Sequence, residues 1–136
     1  MASSELFSPT ISSTSGILST GEKKYLWPGL AEHYPLAGEQ PKVEEVKSRL
    51  LYRQALETAR CFEEGVLNHA SDADVGSIFG WGFPPWTGGT LSFIDTVGIK
   101  HFVAECDRMA EAYGPRFAVS DWLRQKAEQG EVFHQA

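Results

Sequence analysis

The side chains best suited to chemistry in this chain of 136 residues are its histidines, its cysteines and a close pair of aspartates. A zinc site needs His, Cys or carboxylate ligands at short, characteristic spacings. None of the histidines is spaced in this way from another such residue, and we therefore predict no metal site. The histidine on the clearest helical segment lies opposite the apolar stripe and is expected to be exposed. The four are His33, His69, His101 and His134, of which His101 is the one on that helix.

Asp72 and Asp74 resemble the two carboxylates of a general acid–base pair. Side chains two positions apart on a helix do not face each other, which argues against such a pair. Ser71 is typical of a helix N-cap, and Asp74 three positions later would close a box-like cap. Capping therefore explains this segment better than catalysis does. Asp95, near the end of another short helix, is expected to bond to local backbone or to a neighbouring arginine.

No motif of nucleophilic or cofactor-dependent catalysis occurs in the sequence. There is no Gly-x-Ser-x-Gly elbow, no Cys–His constellation and no phosphate-binding loop. Gly80 and Gly82 have the spacing of part of a dinucleotide fingerprint, but no strand precedes them and no helix follows at the right distance. We therefore predict no catalytic residue and no cofactor bound by this chain.

A turn rich in aromatic residues, at residues 80–86, allows two interpretations. Large rings between glycines and prolines could form a rigid apolar platform for a ligand. They could equally form a packed turn that plugs one end of a helical core, since aromatic residues dominate cores as readily as pockets. The packed turn is the favoured interpretation. The residues concerned are Trp81, Phe83, Pro84, Pro85 and Trp86.

The composition limits the partners. A net charge of −6 argues against nucleic acid and against an anionic membrane surface, because both attract basic proteins. The 20 residues from Val75 to Ile94 carry no charge, but their glycines and prolines would break a transmembrane helix. Two cysteines, Cys61 and Cys106, are too few for a disulfide framework and favour a reducing, cytoplasmic location.

The elements that position these residues are all helical, because no segment alternates like a strand. We predict a compact all-α bundle of about five helices, one domain over residues 23–136, and a disordered tail over residues 1–22. An irregular, aromatic-rich arm occupies residues 21–41, where three prolines break any helix. The helices are predicted at about 42–64, from Ser71 to about Phe79, at 91–97 with Thr90 as cap, at 99–113, and from Ser120 to Gln129.

The longest helix, at about 42–64, begins with Pro41 suited to its first turn and ends at Gly65 in a left-handed cap. Its apolar stripe consists of Val43, Val46, Leu50, Leu51, Ala55, Ala59 and Phe62. Leu56 and Cys61 lie off this stripe, so a second face of the helix is expected to be buried as well.

Several short runs of residues, in the order in which they occur along the chain, closely resemble the C-terminal helical domain of 3-hydroxyacyl-CoA dehydrogenase. The resemblance covers roughly residues 23–134. It is strongest to the last copy of that domain in the multifunctional fatty-acid β-oxidation enzymes. The runs are Leu26–Leu30, Arg49-Leu50-Leu51, Glu57–Gly65, Ala73-Asp74, Gly80–Gly89, Ile94–Gly98, Tyr113–Phe117 and Gly130–Phe133.

The resemblance implies part of an NAD-dependent oxidoreductase that oxidises the 3-hydroxyl group of fatty acyl-CoA. In that family NAD is held by a separate Rossmann domain, and the helical domain lies on the acyl-CoA side and forms dimer contacts. The catalytic Asn of the family's Asn-Arg-Leu motif is replaced here by Ser48. We therefore expect a scaffold and dimerisation module that is inactive alone and whose length reflects a place within a longer enzyme.

The expected partner is another helical copy, a Rossmann-containing dehydrogenase chain, or a second copy of this chain in a homodimer. The alternative left open is a stand-alone module that binds acyl-CoA or another small ligand, or that docks through its helices.

Overall fold

The computed structural model describes residues 25–134, and within that range every regular element is helical. The prediction of an all-α fold is confirmed. The predicted tail over residues 1–22 lies outside the described residues. The chain divides between Gln40 and Pro41 into two compact units. The α-helices are α1 (Leu30–His33), α2 (Val43–Glu63), α3 (Ala70–Trp81), α4 (Thr90–Val97), α5 (Ile99–Tyr113) and α6 (Asp121–Gln129), with 3₁₀ turns at Pro85–Thr87 and Pro115–Phe117.

The described part of the first unit, residues 25–40, contains the single-turn helix α1. The expectation that prolines exclude any helix here was wrong, because one turn fits between Pro28 and Pro35. The ring of Trp27 stacks on His33 with 5.4 Å between ring centroids. A Cβ atom at Gly29 would lie 2.5 Å from the Trp27 ring, so glycine permits this close approach.

The second unit is a bundle of five helices around a continuous apolar core. Helix α2 packs against α4, and α5 packs against α4, α6 and the turn Pro115–Phe117. An aromatic group joins α2, α4 and α5, where Tyr52 stacks on Phe102 at 4.9 Å and meets Phe93 edge-on at 5.5 Å. The fully buried side chains include Ala55, Leu56, Leu91, Ile94, Phe102, Cys106, Met109 and Leu123.

The predicted caps at Gly65 and Ser120 are confirmed. Gly65 has a φ of 72° just beyond α2, and its N–H donates to the carbonyl oxygen of Phe62 at 3.1 Å. Ser120 caps α6, because its hydroxyl oxygen accepts the N–H of Leu123 at 3.2 Å. Pro41 differs slightly from expectation, since it precedes the N-cap Lys42 instead of lying in the first turn.

The predicted starts of α3 and α4 were wrong. Helix α3 begins at Ala70 after the N-cap His69, so Ser71 lies inside the helix and is exposed. The same helix runs on to Trp81, two residues past the predicted end. Thr90 does not cap α4 but is its first residue, and its hydroxyl is buried without a hydrogen-bond partner among the described residues.

The apolar stripe of α2 is buried only along part of its length. Ala55 and Ala59 are in the core, and Leu56 is buried off the stripe, as expected for a second packed face. Val43 and Leu50, toward the start of the helix, are exposed. The first half of α2 therefore presents apolar side chains to solvent.

In the part of the chain that the structure describes, no helix is both long enough and apolar enough to cross a lipid bilayer.

Candidate functional site

Asp74 caps a helix, but the helix is α4 and not its own. Its Oδ1 accepts the backbone N–H of Leu91 at 2.7 Å, and its Oδ2 accepts the N–H of Ser92 at 3.2 Å. The hydroxyl of Ser92 donates to the same carboxylate. The N-terminus of a helix carries partial positive charge and unsatisfied N–H groups, and a carboxylate meets both needs. Asp74 is only 5% exposed, so the cap lies in the protein interior.

Ser77, one turn further along α3, extends this contact between the two helices. Its hydroxyl donates to the carbonyl oxygen of Asp74 at 2.8 Å, and its oxygen accepts the N–H of Thr90 at 3.3 Å. Gly89 makes the close approach possible. A Cβ atom there would lie 2.5 Å from the Cα of Asp74, and the residue has a φ of 119°, which favours glycine.

His134 joins this cluster from the far end of the chain. Its Nε2 lies 3.1 Å from Oδ2 of Asp74, and its Nδ1 lies 3.0 Å from Oδ2 of Asp95. Asp95 also accepts the backbone N–H of Phe133 at 2.9 Å and of His134 at 3.0 Å. Both ring nitrogens of His134 thus lie within hydrogen-bond distance of a carboxylate oxygen.

The expectation for Asp95 was therefore wrong, because its partners are a distant backbone segment and a histidine. Sequence reasoning missed this cluster, since 38 and 39 positions separate Asp95 from Phe133 and from His134. No local spacing signals such a contact. The carboxylates of Asp74 and Asp95 link α3, α4 and the segment after α6.

The aromatic turn combines parts of both interpretations. Phe83 is buried and meets Phe93 at 6.2 Å, so it closes one end of the core as the packed-turn interpretation predicts. Trp81 is 56% exposed and Trp86 is 84% exposed. Pro84 is half-buried, and Pro85 opens the exposed 3₁₀ turn. Three of the five residues thus face solvent.

The two cysteines carry free thiols in the described structure. Burial raises the pKa of the Cys106 thiol to about 12, with Asp107 and Glu105 adding to the effect, while Cys61 is half-buried. His101 is exposed, as predicted, and His69 is exposed before α3. Within residues 25–134 no three His, Cys, Asp or Glu side chains are arranged to hold a metal ion.

Two grooves open on opposite halves of α2. The first, of about 510 Å³, lies near the end of the helix and includes Cys61, Leu67 and Trp81 in its wall; we call it the tryptophan groove. The second, of about 350 Å³, lies near the start of the helix and contains Arg49, Arg53 and Arg116; we call it the arginine groove. Both volumes fall in the range of small-molecule sites.

The solvent-facing side of α3 is apolar from Val75 onward and carries two glycines there. Val75 and Phe79 are exposed, Phe79 by 85%, and Gly76 and Gly80 lie beside them at helical spacing. A Cβ atom at either glycine would meet nothing within 4 Å. We call these four residues the α3 outer face.

Comparison with known proteins gives similarity to one kind of multifunctional enzyme subunit. No protein-family model matches the chain. Over 101 residues the chain is 39% identical to proteins named fatty acid oxidation complex subunit alpha from Pseudomonas entomophila strain L48 and Pseudomonas putida strains F1 and GB-1. The match covers 73% of this chain and 14% of each relative. The chain is thus homologous to part of that subunit and spans about a seventh of its length.

Proposed function

We propose that this chain is the C-terminal type of helical domain of an NAD-dependent 3-hydroxyacyl-CoA dehydrogenase of fatty-acid β-oxidation, and that it is not catalytic alone. The similarity to the fatty acid oxidation subunits supports this assignment, and so does the all-α fold. The free thiols of Cys61 and Cys106 support a reducing, cytoplasmic location.

The use made of the acidic side chains supports a non-catalytic role. Hydride transfer needs a bound nicotinamide and a positioned acid or base. Asp74 accepts the backbone N–H groups at the start of α4, and Asp95 accepts those of Phe133 and His134, so both carboxylates hold backbone in place. NAD would be held by a separate Rossmann domain, and this chain would supply support for it.

The α3 outer face is the observation that carries the proposal of a scaffold. Glycine inside a helix costs about 0.5–1 kcal/mol relative to alanine, and an exposed Phe gains nothing from burial. Exposed apolar patches on soluble proteins mark interaction sites, and small residues let a second helix approach closely. The partner on this face is another helical domain of the same kind, and in a solution of this chain alone it is a second copy.

Light scattering on the full chain tests the docking surface at concentrations up to about 100 μM, where weak dimers form. We expect association that Val75→Ser and Phe79→Ser abolish. Val43→Ser makes the same change at an exposed position on α2 and should leave association intact. A wild-type monomer over that whole range contradicts the docking proposal.

A spectrophotometric assay tests the catalytic part separately. The purified chain should show no NADH consumption with a 3-oxoacyl-CoA. Measurable turnover by the chain, copurifying with it through two different columns, would overturn the proposal that it is inactive alone.

The tryptophan groove favours a second candidate function, the binding of acyl-CoA or another small apolar ligand. Val66, Leu67 and Trp81 form an apolar wall of the size that holds an acyl chain. Calorimetry with acyl-CoA and with CoA decides the question. Heat from acyl-CoA that Trp81→Ala removes and Trp86→Ala keeps would support it, because Trp86 does not line the groove. No heat in the wild type would dismiss it.

A further inference from the structure

The arginine groove concentrates positive charge on an acidic protein. Three of the twelve Lys and Arg residues of the chain line it, and no lining residue is acidic. The chain as a whole carries a net charge of −6. The complete lining is Val46, Arg49, Leu50, Arg53, Tyr113, Arg116 and Phe117.

Helical spacing and one turn bring the three guanidinium groups together. Arg49 and Arg53 are one turn apart on α2 and therefore share a face. Arg116 reaches the same groove from the 3₁₀ turn after α5. The side chains from α2 and from the α5 end thus converge on one opening, which local sequence spacing does not reveal.

Neighbouring groups hold two of the arginines in place. The guanidinium carbon of Arg49 lies 4.6 Å from the centroid of the Tyr113 ring, in a cation–π contact. Nη1 of Arg53 donates to Oε2 of Glu57 at 2.7 Å, so Arg53 is paired with a carboxylate, although Glu57 does not line the groove. The carboxylate of Glu45, which lies beside Tyr113, accepts a hydrogen bond from the Tyr113 hydroxyl at 2.8 Å and forms an ion pair with Arg108 at 3.2 Å.

Two of the guanidinium groups lack an acidic partner in the described structure. Across residues 25–134, no carboxylate lies within ion-pair distance of Arg49 or Arg116. Arginine stems do cover apolar surface while the charge stays in water, and this accounts for one such residue beside Val46 or Leu50. It does not account for two cations without a carboxylate partner at one groove, beside a third that is paired with Glu57.

We propose that the arginine groove binds a small organic diphosphate. Guanidinium groups donate paired hydrogen bonds that match phosphate oxygens, and the two without a carboxylate partner, Arg49 and Arg116, offset much of the charge of a diphosphate. Val46, Leu50 and Phe117 give the groove an apolar wall against which the organic part of the ligand packs. The volume of about 350 Å³ suits a ligand of nucleotide size. This inference is independent of the α3 outer face and of the proposed dehydrogenase assignment.

A titration of the full chain followed by ¹⁵N NMR tests the proposal, with ADP, pyrophosphate and adenosine as probes. We expect saturable shifts at residues 46–53 and 113–117 with ADP and with pyrophosphate, and none with adenosine. Arg116→Gln should weaken ADP binding about tenfold or more, because an exposed side chain is changed and a charge-assisted contact is lost. Higher salt should also weaken it.

Arg60→Gln is the matched control. It also removes one positive charge, but Arg60 lies on α2, pairs with Glu57 and does not line the groove. Unchanged ADP affinity in this variant would show that the loss in Arg116→Gln is specific to the arginine groove and would support the proposal. Equal weakening in Arg60→Gln and Arg116→Gln would reduce the effect to general charge and overturn the proposal. The absence of saturable shifts with ADP, or shifts with adenosine as large as those with ADP, would overturn it as well.

Discussion

The carboxylate of Asp74 on α3 holds the backbone N–H of Leu91 on α4 at 2.7 Å, across 17 positions of sequence. Through this contact one buried side chain joins the start of α4 to α3. The contact also explains why glycine stands at position 89 and why α4 starts without a cap from Thr90.

Replacing Asp74 should destabilise the fold strongly. Asp74→Ala removes the cap of α4 and leaves the buried N–H of Leu91 unsatisfied, which should lower the free energy of unfolding by about 2 kcal/mol or more. Asp72→Ala, at an exposed position two residues earlier, should change it by less than about 0.5 kcal/mol. Urea denaturation of both variants measures the difference. Equal effects would show that Asp74 is not the cap.

Two glycines of the same region should respond in opposite ways to alanine. Gly89→Ala adds a Cβ atom 2.4 Å from the Cβ of Asp74 at a φ of 119°, so we expect a loss of several degrees in Tm. Gly80→Ala adds a methyl group to an exposed helical position with open space around it, and should gain about 0.5–1 kcal/mol. Thermal unfolding of the two variants at low protein concentration checks both signs.

Gly80→Ala should also have opposite effects on the stability of the fold and on association between copies of the chain. Glycine at this position is unfavourable for the isolated helix, and the docking proposal attributes its presence to the close approach of a partner. The stabilised variant should therefore associate more weakly than the wild type. Stronger association in Gly80→Ala would remove this explanation.

Cys106 should make the folded state sensitive to alkaline pH. Its pKa is raised to about 12 by burial, whereas the thiol of the unfolded chain ionises near the ordinary value of 9.0. The unfolded state therefore loses its proton first, so the stabilising contribution is complete below about pH 9 and declines as the pH rises toward 12. Between pH 8 and pH 10 the wild type should lose about 1 kcal/mol more than Cys106→Ala. Parallel losses in the two proteins would contradict this.

The parts of the fold that local sequence could predict are those set by local interactions. Helix α5 follows from an apolar stripe at spacings of three and four, and its end follows from Gly114-Pro115. The ends of α2 and α6 follow from Gly65 and Gly130. Each of these depends on residues within one or two turns of each other.

The parts that could not be predicted depend on contacts between distant segments. Ser71 and Asp74 satisfy the pattern of a cap, yet the acceptor acts on α4 because the two helices meet in space. His134 contacts Asp95 across 39 positions, because the segment after α6 lies beside α4 in the folded chain. The arginine groove likewise needs Arg116 to approach α2. The spacing of residues along the chain does not indicate such contacts between distant segments.

The most direct test of the docking account is to map the association surface itself. Backbone NMR spectra of the full chain, recorded over a dilution series, report which amides change as copies separate. We predict that the shifts are concentrated at Val75, Gly76, Phe79 and Gly80 and disappear in Phe79→Ser. Shifts confined to the start of α2 or to α6, or spectra that do not change with concentration, would contradict the account.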